Sequence, residues 1–259
     1  HLEGGERHAG LLRQAHRRDA DGQAVRELPA ARPVHAHRAG PQLRRVPVQR
    51  IEQPDVNQRS KNSTARTKQL EPLTLPFWDD FHKPFRSLFP DTSLWENSYS
   101  VWVNDGAAIN SPTINVATFD GLDSAGLAYN PNEVLAVGFT DSLISKRIDL
   151  SETAPVNPVS IAERGSVFLS FYFQWQGNGE APDPPDYLQL EFRDNTGEWE
   201  IVMTIKPKVG FQRDVFYDTI VQVTGDQFFY DAFQFRFKSF GRQSGPYDTW
   251  SIDYVYLNK

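Results

Sequence analysis

Ala232-Phe233-Gln234-Phe235-Arg236-Phe237-Lys238-Ser239-Phe240 decides the fold. Phe233, Phe235 and Phe237 alternate with Gln234, Arg236 and Lys238. Period two is the repeat of a β-strand, whose successive side chains leave opposite faces of the sheet. One face carries three large apolar rings and the other carries polar groups. The stretch therefore predicts a strand with one buried and one wet face, as in an antiparallel sheet packed on one side.

The texture holds on both sides of this strand. Upstream, Tyr187-Leu188-Gln189-Leu190-Glu191-Phe192 sets Leu188, Leu190 and Phe192 on one face. The turn Asp194-Asn195-Thr196-Gly197 separates it from Trp199-Glu200-Ile201-Val202-Met203. The run Val167 to Trp175 alternates with aromatics on both faces, which predicts a central strand packed on two sides. Val215 to Val223 and Thr249 to Leu257 are further runs. Nearer the start, Val101-Trp102-Val103 runs into Asn104-Asp105-Gly106, and Val116-Ala117-Thr118-Phe119 runs into Asp120-Gly121. Short apolar runs separated by turn residues are the signature of a sandwich or barrel. Counting them gives roughly ten strands, enough for two stacked antiparallel sheets. Helices are scarce: Lys83 to Phe89 is the one candidate, bounded by Pro84 and Pro90.

Composition divides the chain. Residues 1–70 contain no Phe, Tyr or Trp, and all 18 Phe, 9 Tyr and 6 Trp follow. A segment without aromatics buries too little apolar area to offset its ordering entropy. It carries 14 Lys and Arg against 7 Asp and Glu, whereas residues 71–259 carry 13 against 26. Its Arg, Ala, Gly, Pro and His bias is what a GC-rich gene gives when read in the wrong frame. Residues 1–70 are therefore expected to be a disordered or out-of-frame tail, and residues 71–259 a β-sandwich domain.

The acidic balance of the folded part argues against nucleic acid, whose phosphates it repels. The chain has no Cys, which excludes disulfide frameworks, thiolate zinc and thiol nucleophiles. No stretch approaches the ~20 apolar residues of a membrane helix. His82 is the only His after residue 70, and no Gly-x-Ser-x-Gly elbow or His-Glu-x-x-His occurs. Glu191, Glu198 and Glu200 flank a hairpin turn and read as solvated charges. No catalytic residue is expected.

Binding groups are more plausible than catalytic ones. Trp175 ends a strand at Gln176-Gly177-Asn178-Gly179, so Trp175 and Asn178 are the first candidate ligand residues; Trp95, Trp102, Tyr247 and Trp250 are further aromatics near loops. An indole or phenol at a loop can stack on a sugar ring; the plainer reading of a strand Trp is core. Asp253 lies among Ile252, Tyr254 and Val255, and a buried carboxylate needs a partner. That partner is a cation or a backbone amide. Asp80, Asp120 and Asp123 are further oxygen donors.

Three ordered motifs resemble a family: Leu75-Pro76-Phe77-Trp78-Asp79-Asp80-Phe81, Val116 to Asp123, and Asp248-Thr249-Trp250-Ser251-Ile252-Asp253-Tyr254-Val255-Tyr256-Leu257. With Leu143 to Leu150 as an intervening strand, they are similar to the N-terminal jelly-roll region of Bacteroidota surface proteins, many exported by the type IX secretion system. A more distant resemblance is to MAM-like and cleaved-adhesin sandwiches. The resemblance implies a concanavalin-like jelly roll on the cell surface or outside the cell. It implies a non-catalytic adhesion or carbohydrate- or protein-binding module, with a glycan or surface protein as partner and no membrane insertion. A structural spacer and a divergent glycan hydrolase are the alternatives. In such sandwiches the first and last strands pair and hold a structural calcium ion. The resemblance therefore assigns Asp80 and Asp253, with Asp120 and Asp123, as metal ligands. Family members carry a signal peptide and a C-terminal sorting domain. Neither is visible here, so the export route is what the resemblance implies.

Overall fold

The computed structural model describes residues 71–82, 88–96 and 100–259. The chain divides into units 1–64 and 65–259, and the described residues all lie in the second. The expected tail, and most of the candidate helix at 83–89, lie outside the described residues.

Ten strands form two antiparallel sheets. They are β1 Phe77–Asp79, β2 Trp102–Asn104, β3 Val116–Phe119, β4 Val137–Ile144, β5 Phe168–Trp175, β6 Tyr187–Arg193, β7 Trp199–Ile205, β8 Tyr217–Gln222, β9 Gln234–Arg242 and β10 Trp250–Asn258. Two short 3-10 turns, Ile161–Ser166 and Asp226–Phe228, are the only helical elements among the described residues. One sheet runs β2-β3-β10-β5-β8, with β1 also on β10; the other runs β4-β9-β6-β7. From β3 onward the chain crosses between the sheets at every step except the β6–β7 hairpin, as in a jelly roll. The domain is a two-sheet antiparallel sandwich, as the alternation predicts.

The core follows from period two. Phe233, Phe235 and Phe237 are fully buried, together with Leu188, Leu190 and Phe192 of the neighbouring strand. From the facing sheet come Leu169 and Phe171 of β5, and Trp250, Ile252, Val255 and Leu257 of β10. The Phe171 and Phe237 rings meet edge to face across the sandwich, 4.9 Å apart. Phe77, Trp95 and Phe235 form a second aromatic knot, with ring centroids 5.2 to 5.7 Å apart. Asp79 ties β1 into it by accepting the Trp95 indole N–H at 2.6 Å.

β10 organises its sheet. Its first half pairs with β3 (Trp250↔Phe119) and its second half with β1 (Phe77↔Leu257). Between the halves its register against β5 shifts between Asp253 and Tyr256, and Tyr254 takes φ 50°, the left-handed region. The first and last strands are therefore neighbours, as the resemblance implies.

Three expectations need correction. The strand anticipated at Leu143–Leu150 is β4, Val137–Ile144. Ile148 makes only isolated bridges, to Leu73 and Phe233. A bulge between Phe139 and Ser142 carries a buried Asp141, which breaks the apolar alternation that would have marked the strand. β5 is central in its sheet but is not covered on both sides, since Phe168 and Tyr172 are exposed. Gln234 and Glu191 are buried rather than wet: Gln234 donates to the Ser145 carbonyl and accepts from Arg193, and Glu191 is paired with Arg236 and Lys238.

Candidate functional site

The outward face of the six-stranded sheet is the most featured surface. Its side chains follow from the register: Trp102 on β2 opposite Thr118 on β3, then Ser251 and Asp253 on β10, then Gln174 and Tyr172 on β5. The β2–β3 connection, residues 105–115, crosses this face and is tied to it at two points. The Gln174 amide donates to the Ile109 carbonyl at 2.7 Å and accepts the Ile109 N–H at 2.9 Å. Asp253 accepts the Thr113 N–H at 2.9 Å and the Tyr254 N–H at 2.6 Å. The Thr113 hydroxyl lies 2.9 Å from Asp253 Oδ1 and 2.8 Å from the Asp80 carbonyl. Burial raises the Asp253 pKa, and the bonds from Thr113 oppose the rise. Gln174 and Asp253 thus explain why two polar side chains are buried on a face that should be wet.

On one side of this strap lies a groove of about 460 Å³, lined by Trp102, Asn104, Thr118, Asp120, Asn178 and Thr249 among others. The Asn104 amide donates to the Thr118 hydroxyl at 2.9 Å and accepts the backbone N–H groups of Gly106 and Ala107. Asn178 sits on the loop after β5 and donates to the Gly106 carbonyl at 3.0 Å. That loop turns through Gln176 at φ 68° and Gly177 at φ 61°. A Cβ on Gly177 would lie 2.5 Å from the Ala107 carbonyl oxygen, so the close approach of the two loops needs glycine there. The Trp102 ring is half-buried with Phe89 packed 5.2 Å away, and its indole N–H has no protein acceptor.

Carboxylates gather behind the groove wall. Asp120 caps its own turn by accepting the Leu122 N–H at 3.1 Å. Asp141, at the β4 bulge, is fully buried and accepts the Gly121 N–H at 2.8 Å and the Tyr129 hydroxyl at 2.9 Å. Burial, reinforced by the nearby charge of Asp120, pushes the Asp141 carboxyl up to about 8. Burial and Asp141 in turn raise Tyr129. A second pair, Asp186 and Asp248, pushes Asp186 up to about 7, by burial first and then by the charge of Asp248. Asp141 and Asp186 are therefore protonated in part near neutrality. Asp120 is the only acid that lines the groove among the described residues. A general acid must touch the departing atom, and Asp141 is sealed with both oxygens engaged.

The assigned residues are divided by the structure. Asp80 and Asp253 do come together at the β1–β10 junction, where the Asp80 charge raises the Asp253 pKa. Asp120 does not join them. It follows the Phe119↔Trp250 pair, three residues of β10 away from Asp253, or about 10 Å of strand. Asp123 closes its own loop, accepting the N–H groups of Ala125 and Leu127. The four carboxylates thus do not converge on one metal ion, and no group of three or more His, Asp or Glu among the described residues is arranged to hold one. Asn178 lines the groove as expected. Trp175 does not: it points into the sandwich and packs against the core beside Phe211, as its place in the inward series Leu169, Phe171, Phe173 dictates. Tyr247 lies under the Arg242 guanidinium, and its neighbours Pro246 and Thr249 line the groove in its place.

Sequence reasoning missed two features. One is which of the loop-side aromatics lines the groove: it is Trp102, one of the further candidates, whose strand is too short to show which face it takes. On the other side of the strap Trp78, Tyr254 and Tyr172 form an exposed aromatic strip, with Trp78 and Tyr172 each edge to face with Tyr254 at 6.0 and 6.4 Å. The rings are tilted 71° and 80°, so they do not form a coplanar platform. The bulge that turns Tyr254 outward leaves no mark in the alternation.

No protein-family model and no curated protein matches the chain. Solved structures show a remote likeness. An exo-β-agarase is 13% identical over 61% of this chain and 22% of its own, with a TM-score of 0.33. A Stig cyclase from Fischerella sp. TAU is 12% identical over 69% of this chain and 93% of its own, with a TM-score of 0.36. A xylanase from Cellvibrio japonicus, solved with xylopentaose, is 9% identical over 71% of this chain and 26% of its own, with a TM-score of 0.27. The chain spans about a fifth of the agarase's length. No helix among the described residues is long and apolar enough to cross a membrane.

Proposed function

We propose that residues 71–259 are a non-catalytic glycan-binding module of a secreted or cell-surface protein. The groove carries this reading. It joins one half-buried indole to two amides, two hydroxyls and a carboxylate across about 460 Å³. Ligand pockets combine such an apolar wall with a few convergent polar groups. Sugars suit it because a pyranose offers an apolar C–H face to a ring and a rim of hydroxyls to amides and carboxylates.

The test is affinity electrophoresis of the full chain in gels containing neutral polysaccharides, followed by titration with oligosaccharides of any that retard it. Trp102→Ala and Asn178→Ala should each weaken retention at least tenfold without lowering the melting temperature by more than a few degrees. Retention by no polysaccharide, or retention unaffected by both variants, would leave the spacer reading standing. Release of reducing ends in the same incubations would favour the hydrolase reading.

Structural calcium between Asp80 and Asp253 belongs to the proposal as a competitor. The Asp253 oxygens already accept N–H and O–H donors from Thr113 and Tyr254. An ion there must displace the Thr113 donors and loosen the strap.

A further inference from the structure

The opposite sheet presents a different chemistry outward. Along β9 the outward side chains are Arg236, Lys238, Phe240 and Arg242; along β6 they are Tyr187, Glu191 and Arg193. Trp199 of β7 pairs with Arg193, and Lys206 follows that strand. The cations lie on rings. Arg236 sits 4.1 Å above Trp199, with Arg193 5.9 Å from the same ring. Lys238 sits 3.4 Å above Phe139, and Lys206 5.9 Å from Tyr187. Tyr187 and Phe240 are stacked 4.8 Å apart and nearly parallel.

Five of the thirteen Lys and Arg of residues 71–259 occupy this one face. Two carboxylates answer them. Glu191 is buried between Arg236 and Lys238, and Asp183 lies 3.6 Å from Arg242. Arg193 bonds only neutral groups, the Gly197 carbonyl and the Gln234 amide oxygen. Neither Arg193 nor Lys206 forms an ion pair among the described residues. Glu200 turns to the other side of β7, toward Gln227. Asp194 and Glu198 lie in the hairpin turn at the end of the face.

We infer that this face binds an acidic polysaccharide, a chain of sugars bearing carboxylate or sulfate groups. The rings supply stacking surface for sugars, and the cations supply partners for the anions, strengthened where an arginine fork meets a carboxylate or sulfate. The acidity of the rest of the domain does not forbid it. Exposed charges are screened over about 8 Å at physiological salt, and the two sheets are about 10 Å apart. A nucleic-acid duplex fits the face less well. It carries one charge per ~1.7 Å, and its length would bring it against the surrounding acids. A uronate or sulfated chain carries fewer charges for its length, which the net three positive charges of the face, five cations less Glu191 and Asp183, can match. This inference rests on the four-stranded sheet and not on the groove, so either can fail alone.

The experiment is affinity electrophoresis of the full chain in gels containing alginate, dextran sulfate or neutral dextran, with a duplex DNA shift run in parallel. Retention is expected in alginate or dextran sulfate, and which of them retards more names the anion. It should fall as salt rises from 50 to 300 mM and exceed any retention that the groove gives in neutral dextran. Arg193→Gln combined with Lys206→Gln should reduce retention at least tenfold, and Trp199→Ala should do the same. Lys259→Gln, a cation off the face, should leave it unchanged. The double variant keeps the Glu191 pairs intact but gives up the Arg193 bonds to Gln234 and Gly197, so a fall of a few degrees in melting temperature is expected and retention is compared well below both transitions, with Lys206→Gln alone as the variant that touches no such bond. Equal retention in neutral dextran, tighter binding of duplex DNA, or unchanged retention by a folded double variant would each overturn the inference.

Discussion

Asp141→Asn offers the sharpest physical test of the buried carboxylates. In the folded chain the Asp141 pKa rises from 3.8 to about 8, because burial penalises the charged form and Asp120 adds a like charge. An acid whose folded pKa is raised holds its proton in the folded state after the unfolded chain has released it. Its contribution to stability is fully present below the unfolded pKa and is lost as pH rises through the folded one. The window is therefore pH 4 to 8, and the wild-type domain should lose stability as pH rises through it. Between pH 5 and 8 the change has a ceiling of about 4 kcal/mol at ~1.4 kcal/mol per pH unit. Relaxation and water entry lower such penalties, so about 2–3 kcal/mol is expected. For a domain of this size that is roughly 5–10 °C in melting temperature. Asparagine mimics the neutral carboxyl: its oxygen accepts the Gly121 N–H and its amide donates to the Tyr129 oxygen. The variant should match wild type near pH 5 and exceed it at pH 8 to 9. The assay is calorimetric melting from pH 5 to 9. Asp186, raised to about 7, shifts both proteins in the same direction, so the difference between them isolates Asp141. A wild-type domain that gains stability over that range, or a difference independent of pH, refutes the reasoning.

Three further outcomes are expected. Phe235→Ala should cost about 3–5 kcal/mol in denaturant melts, because the ring is fully buried among Phe77, Trp95 and Phe237; a loss below about 1 kcal/mol would contradict the register. A chain beginning at Glu71 should melt at the same temperature as the full chain, since residues 1–70 contribute no aromatic side chain; aggregation or a lost transition would count against it. Millimolar calcium should raise the melting temperature if an ion displaces Thr113 from Asp253, by about 2.7 kcal/mol at a hundredfold excess over Kd, and Asp253→Asn should abolish the gain. No shift with calcium or chelator makes Asp253 the hydrogen-bonded anchor of the strap alone.

The strands that sequence reasoning found are those whose side chains obey one rule throughout. β9 and β6 alternate cleanly because one face meets the core and the other carries polar side chains, which water or a polar partner satisfies. β3, Val116–Phe119, lies where its short apolar run predicts it. β4 was misplaced because Gly138 and the buried Asp141 interrupt its pattern, and a polar side chain satisfied by tertiary bonds looks like a turn residue in sequence. Gln174 and Asp253 were opaque for a related reason. Their partners, Ile109 and Thr113, are 65 and 140 residues away, and no local pattern announces a loop strapped over a sheet. The alternative reading of Asp253, bonded to a backbone amide, is the one the Thr113 N–H fulfils. For the site, Asn178 and Asp120 were legible as loop residues next to turns. Trp175 misled because a strand's last residue can face either way, and inward parity with Phe173 decided it. Tyr254 reached the surface through a bulge, which shifts parity by one residue and so hides from any period-two count.

The central claim is that the groove beside Trp102 holds a sugar. Calorimetric titration of the full chain with the oligosaccharide selected by gel retention measures it most directly, with wild type and Trp102→Ala compared under one buffer. The account predicts saturable binding by wild type, weakened at least tenfold in Trp102→Ala, and unchanged in Arg193→Gln with Lys206→Gln. Equal affinity of wild type and Trp102→Ala for that oligosaccharide would contradict it.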